Sequence, residues 1–212
     1  MKNSRLIIVG GGSLGREIIN WVADLFESGD LPKLSGFVDD TGDTLRPYEY
    51  GLQYLGRIDS YAPRDGDKLI LCISDPLSKR KIVSELKNKG ASFLTIIHPS
   101  AVIARSAKIG EGVVVCPNSF ISADARVGNF VTVNGLSSVG HDVKIGDFTT
   151  LSAHVDLTGW VSVGEECFFG TSAKVLPKVI IGAGSRMGAG TVIVRNVKER
   201  TVMYSLPSKR LK

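Results

Sequence analysis

Cysteine is scarce in this chain: Cys72, Cys116 and Cys167 are the only three, and no two are spaced as CxxC. An odd, unclustered set suits neither a disulfide framework nor a zinc site, and it points to a reducing, cytoplasmic compartment. Long apolar runs are also missing, since nothing approaches the ~18 to 20 residues that span a bilayer. The run Leu6–Gly10 is too short for a signal-peptide core and has no cleavage site after it. Secretion, membrane spanning and a disulfide scaffold are therefore excluded at this level. What remains is a chain of 212 residues, 43% hydrophobic and 22% charged, which is an ordinary soluble balance with room for one large or two small domains.

The formal charge is +5, but it is not spread out. Between Arg195 and Lys212 stand six cations and one anion, so everything before Arg195 is neutral overall. A nucleic-acid binder distributes its basic residues along a face or helix, often with aromatics between them. A short basic tail suits a few phosphates, or simply a solvated terminus. No nucleic-acid partner is expected.

The strongest signal is a period of six in the second half, which precedes any single motif in importance. Every sixth residue from Ile103 to Ile193 is large and apolar, in sixteen positions out of sixteen. Two positions before each stands a small or β-branched residue, from Ala101 to Thr191. A helix repeats near 3.6 and a strand at 2, so neither produces this pattern. An aliphatic-Gly pair returns at every third repeat: Ile109-Gly110, Val127-Gly128, Ile145-Gly146, Val163-Gly164 and Ile181-Gly182. The reading is a solenoid of three short strands per coil, about five coils long, whose apolar column is buried by stacking. Gly, Asn and Asp are expected at its corners.

The first 92 residues read as a βαβ-type sheet. Strands are expected at Leu6–Val9, Leu34–Val38 and Leu69–Ile73, with helices over 14–27 and 77–86. Between the first strand and helix lies Gly10-Gly11-Gly12-Ser13-Leu14-Gly15, and the second strand ends in Asp39-Asp40. Glycines there let backbone approach a phosphate, and a helix N-terminus offers free N–H groups. Asp39 or Asp40 could accept hydrogen bonds from a ribose or base. Only one mononucleotide half fits before the repeat begins, so a mononucleotide or nucleotide-sugar is favoured over NAD. A tight turn holding no ligand stays open as the plain alternative.

Three histidines are present, and His98 and His154 read as a capping residue and a surface residue. His141, in Val139-Gly140-His141-Asp142-Val143, falls off the buried column with a carboxylate beside it. Asp142 could set its tautomer and raise its basicity, although a solvent-exposed histidine at a turn fits the same residues. Cys116 and Cys167 raise a covalent acyl-cysteine route, but Cys167 falls in the small inward column and reads as core. Clustered metal ligands are not evident, so neither a metal nor a redox cofactor is indicated.

The whole chain resembles the bacterial sugar acyltransferases of the sialic acid O-acetyltransferase and UDP-4-amino-sugar N-acetyltransferase type. The residues that carry the likeness are Ile8 to Gly15, Phe37-Val38-Asp39-Asp40, Ile97 to Ala101, Asn134 through Asp142, and Ile145-Gly146-Asp147. The resemblance implies a Rossmann-like nucleotide-sugar-binding domain over 1–92, a left-handed parallel β-helix over 93–196 and a basic tail over 197–212. It implies a homotrimer with active sites between subunits, and acetyl-CoA as co-substrate without a metal. His141 matches the general base and Asp142 the residue that orients it, while Asn134 matches a contact to the acceptor group. Gly10, Gly11, Gly12 and Ser13, with Asp39 and Asp40, match the nucleotide-sugar loop. Thr150, Gly159, Gly170, Thr171 and Ala189 fall where the acetyl and pantetheine groups bind. Leu14, Ser74-Asp75 and Thr150 depart from common family residues. The implied activity is N-acetylation of a nucleotide-linked amino-deoxysugar. Sugar O-acetylation and a non-catalytic nucleotide-binding trimeric scaffold are the alternatives.

Overall fold

The computed structural model describes residues 4–26 and 33–206; the end of the basic tail, 207–212, lies outside the described residues. The N-terminal part is a four-stranded parallel sheet of β1 (Arg5–Val9), β2 (Lys33–Val38), β3 (Asp67–Leu71) and β4 (Ser92–Phe93). Helix α1 (Ser13–Phe26) follows β1, and α2 (Pro76–Asn88) follows β3. The spatial order is β2-β1-β3-β4. Strand β1 is central and apolar at every position after Arg5 because helices cover both of its faces. Leu6 and Ile8 meet Leu14, Ile18 and Val22 of α1, while Ile7 and Val9 meet Val83 and Leu86 of α2. The start of the sheet is clipped by Arg5, whose guanidinium donates twice to Asp67 at 2.8 Å, and by the Tyr61 hydroxyl at 2.6 Å.

The second half is a parallel β-solenoid with three faces of seven, six and five strands, each a pair of residues long. Every strand pairs with its counterpart one coil further on, as Arg126-Val127 does with Lys144-Ile145. The second residue of each pair points inward, and this column is the core expected from the period of six. The first residue points outward, and its burial tells the faces apart. On the seven-stranded face Val114, Thr132 and Thr150 are buried, because the N-terminal sheet and helices lie against them. On the other two faces Val102, Phe120, Ile180 and Val192 are exposed. Among the described residues, no helix is long and apolar enough to cross a membrane.

Two expectations change. Gly, Asn and Asp do not dominate the tight corner of each rung. Residues there, from Asn118 to Lys178, all have φ between 55° and 66°, and they include Phe130, Leu136, Phe148, Trp160 and Glu166. That left-handed conformation costs an L-residue about 1–2 kcal/mol. Here it is imposed by hydrogen bonds between coils, such as Phe130 N–H to Glu111 O and Phe148 N–H to Asn129 O, both 2.8 Å. The repeat also continues past 196: Val197 bridges Ile181, and Val202-Met203 extends the seven-stranded face beside Arg186-Met187. The residues read as the beginning of a solvated tail therefore close the solenoid.

Candidate functional site

His141 stands at the edge between the six- and five-stranded faces, just past the inward Val139. The residue before it is Gly140, where a Cβ would lie 2.9 Å from the backbone of the next coil. The chain must therefore turn flat there, and the imidazole projects from the edge. Its Nδ1 is 3.0 Å from Asp142 Oδ2, and both side chains are about half exposed. Asp142 has φ of 59°, a conformation Asp tolerates better than most residues, and its N–H is held by Ala123 O at 3.0 Å. One coil on, Gly159 lies under the ring: a Cβ there would stand 2.5 Å from His141 Nε2. Trp160 presents its indole edge-on at 4.3 Å, with Lys178 Nζ 5.6 Å from the indole centre. Among the described residues the Gly159 N–H has no acceptor. Beside the dyad, Asp124, Asp142 and Trp160 line an open cleft of about 320 Å³.

Asn134 occupies the opposite edge of the six-stranded face. Its side-chain oxygen accepts from Gly135 N–H at 2.7 Å, and its amide nitrogen has no partner among the described residues. Gly170 stacks two coils above Asn134, and a Cβ on it would lie 2.6 Å from Ala189 N. Thr171 and Ala189 follow along that edge. Within one chain the structure thus brings His141, Asp142 and Gly159 together. Asn134, Gly170, Thr171 and Ala189 share the other edge, with Gly170 against Ala189 and Asn134 two coils below, and the six-stranded face separates the two groups.

Thr150 belongs to neither group. It is buried, and its hydroxyl donates to Ser74 O at 2.7 Å, so it serves the joint between sheet and solenoid rather than an acyl group. The thiols are no alternative nucleophiles. Cys72, Cys116 and Cys167 are free and buried, and burial pushes Cys116 up to about 12 and Cys167 up to about 11. Among the described residues, no group of three or more His, Cys, Asp and Glu side chains is placed to hold a metal.

The glycine loop sits at the carboxyl end of β1, where the chain order of the sheet reverses between β1 and β3, the usual ligand crevice of such sheets. Gly10 has φ of 99°, and a Cβ on Gly15 would lie 2.1 Å from Gly10 O. Gly12 and Ser13 are exposed, with open space above Gly12. Asp39 does not face a ligand. Its oxygens accept from Gly11 N–H (2.8 Å), Thr41 N–H (2.8 Å) and the Thr41 hydroxyl (2.6 Å), which makes it the internal brace of the loop. Asp40 accepts from Ile58 N–H at 2.9 Å through one oxygen, and its side chain stays partly open. Leu14 is buried against α1's own core partners.

Two residues of this region escape sequence reading. Trp160 gave no signal beyond being aromatic. Lys79 gave a faint one: the buried stripe of α2 is Pro76, Lys79, Val83 and Leu86, so a lysine stands where helical spacing calls for an apolar residue.

No protein-family model matches the chain. A stretch of 126 residues is 35% identical to UDP-N-acetylbacillosamine N-acetyltransferase of Bacillus subtilis, covering 54% of this chain and 51% of that protein. The chain thus spans about half the length of that curated relative. Among solved structures, PerB from Caulobacter crescentus, in complex with CoA and GDP-perosamine, is 30% identical over 99% of this chain and 97% of its own, with a TM-score of 0.85. A histidine-to-asparagine variant of perosamine N-acetyltransferase from the same organism, also holding CoA and GDP-perosamine, is 28% identical over the same shares, with a TM-score of 0.86. The acetyltransferase domain of PglB from Neisseria gonorrhoeae, with acetyl coenzyme A, is 27% identical over 99% of this chain and 100% of its own, with a TM-score of 0.84.

Proposed function

Because this chain belongs to the bacterial family of nucleotide-sugar N-acetyltransferases built on a left-handed hexapeptide β-helix, we propose that it acetylates the amino group of a nucleotide-linked amino-deoxysugar from acetyl-CoA. The observation that carries this reading is the His141–Asp142 pair on a glycine edge, joined in one chain to a glycine-loop crevice at the carboxyl ends of β1 and β3. His141 Nδ1 is engaged by Asp142 while Nε2 has no hydrogen-bond partner among the described residues, which is the arrangement a general base needs.

In the proposed step the sugar amine attacks the thioester carbon and gives a proton to His141 Nε2. Asp142 stabilises the imidazolium. The oxyanion of the tetrahedral intermediate is held by the unpaired N–H of Gly159. The C–S bond then breaks, and the thiolate takes the proton from His141, leaving CoA and the amide. Asn134 contacts the acceptor amine, and Gly12-Ser13 with Asp40 hold the nucleotide diphosphate and ribose. Gly170, Thr171 and Ala189 line the path of the pantetheine arm. His141 and Asn134 lie on opposite edges of one face, so a complete site calls for a second copy, with one copy's His141 edge against the next copy's Asn134 edge. A homotrimer supplies three such sites by one symmetry operation. Exposed Val102, Phe120 and Leu136 on and beside that face support burial there. Three free cysteines support a cytoplasmic location.

The test is thiol release from acetyl-CoA against a panel of nucleotide-linked 3-amino and 4-amino sugars, with sialic acid included. Release with an amino sugar is expected. His141→Ala should lower turnover by about 10²- to 10⁴-fold and leave both substrates bound. A loss below about fivefold removes His141 as the base, and release only with a hydroxyl acceptor makes the enzyme an O-acetyltransferase.

A further inference from the structure

Lys79 is fully buried, yet among the described residues no carboxylate pairs with its amine. Its Nζ donates to Thr132 Oγ1 at 2.8 Å, to Phe130 O at 3.2 Å and to Thr149 O at 3.3 Å, three N–H bonds for three acceptors, all on the solenoid. The Phe130 carbonyl lies at a left-handed corner, where the repeat supplies no N–H for it. A buried cation carries a desolvation penalty of several kcal/mol, and an apolar residue of similar length fills such a place at least as well. Stability alone therefore does not account for a lysine on the apolar stripe of α2.

Its place in the fold does. The Lys79 N–H bonds Asp75 O at 2.9 Å in the first turn of α2, and Asp75 caps that helix by accepting from Ser78 N–H at 3.0 Å. Just before it, Ser74 O is held by Thr150, and Asp75 faces Arg186 at 3.4 Å. The same β3–α2 loop forms one wall of the crevice: Cys72 N–H bonds Val9 O at 2.8 Å, and a Cβ on Gly10 would lie 2.6 Å from Ile73. At the other end, Thr132 nearly adjoins Asn134, on the coil whose next rung ends in His141. A short run of hydrogen bonds thus connects the nucleotide crevice to the coil that carries the reacting groups.

We propose that Lys79 is a positioning residue, whose three bonds into the solenoid wall hold the β1/β3 crevice at the spacing that delivers the acceptor amine to the transfer site. This rests on the acetyltransferase reading above. Apart from the Asn134 contact to the acceptor amine, the proposed nucleotide-sugar contacts lie in the sheet crevice and those of acetyl-CoA on the solenoid, whereas transfer needs the two halves in register.

The experiment compares the full-length wild type with Lys79→Met and with Thr132→Val, which removes one acceptor and keeps the amine. Steady-state thiol release gives kcat, and calorimetric titration gives Kd and stoichiometry for acetyl-CoA and for the nucleotide-sugar. In Lys79→Met, kcat should fall about tenfold or more, since an ångström of misplacement costs up to about 10²-fold, with both Kd values and stoichiometries unchanged. Thr132→Val should lose about threefold in kcat in the same pattern. A kcat within twofold of wild type, or a loss matched by an equal drop in binding stoichiometry, overturns the inference. If Lys79→Met does not fold, Thr132→Val decides, and an unchanged kcat there overturns it. A wild type silent with every acceptor overturns the function and the inference together, whereas an active wild type with an unaffected variant overturns the inference alone.

Discussion

The two halves of this molecule are both parallel sheets, yet they are built on opposite principles. In the solenoid each strand meets its counterpart in the neighbouring coil, in one register from end to end. In the N-terminal sheet the partners of β1 come from distant parts of the chain, with Arg5 opposite Lys33 of β2 and Asp67 of β3. The β1/β2 pairing also slips register between Leu6 and Ile7. The solenoid spreads its specification over identical small contacts, as in other quasi-one-dimensional folds. The sheet concentrates its specification in a few places: the glycine loop, the Asp39 brace and the Arg5–Asp67 clip. Local damage should therefore be absorbed in the solenoid and be costly in the sheet, except where the solenoid carries chemistry.

Gly159→Ala tests that exception and should have the largest effect. Its methyl group would occupy the space of the imidazole, 2.5 Å from Nε2, while the apolar column that keeps the solenoid folded is untouched. Turnover should drop about 10²-fold with a melting temperature near that of wild type, measured by thiol release and calorimetry. Equal losses in both would make Gly159 a folding residue only.

Gly15→Ala probes the sheet. The clash is with backbone, at 2.1 Å from Gly10 O, so nothing flexible can yield. A destabilisation of about 1–3 kcal/mol is expected, read by urea denaturation. Nucleotide-sugar affinity should weaken while acetyl-CoA affinity stands. Loss of both affinities together would mean that the halves do not separate as described.

The joint between them should respond to pH. Burial drives the Lys79 amine down to about 7 from an ordinary value near 10.5, opposed only by the nearby charge of Asp75, which makes no direct contact with the amine. The unfolded chain then holds more protons than the native one between those values. The penalty is full below about pH 7 and fades as pH rises toward 10.5, so in this window the lysine makes stability climb by up to about 1.4 kcal/mol per pH unit. Lys79→Met should remove that slope and gain on wild type at pH 6 relative to pH 9. A pH-independent difference would place the charge in a better-solvated site.

The smallest effect belongs to the corners. Ser172 has φ of 61° and an exposed side chain, so Ser172→Gly relieves the left-handed strain and raises stability by less than about 1 kcal/mol. A clear fall in melting temperature would show that the corner conformation is chosen locally rather than imposed by neighbouring coils.

The repeat is legible because every coil states the same rule, and the glycine loop because its spacing answers to one strand–turn–helix geometry. Asp39 and Thr150 mislead for a shared reason. Each has the residue type of a ligand contact, but which partners fill its hydrogen bonds depends on how distant segments come together: Gly11 reaches one and Ser74 the other. The left-handed corners mislead because the stacking of coils overrides the intrinsic preference of Phe130 or Trp160.

By itself the sequence determined the solenoid, its period and inward column, the phosphate-type loop and the His141–Asp142 pair, since all of these depend on residues within about one coil of each other. Only the tertiary structure decided that the seven-stranded face is the one covered and that Lys79 ends among three solenoid acceptors. Those outcomes come from packing one sheet against one of three outward columns, and an outward residue carries no local mark of what will lie on it.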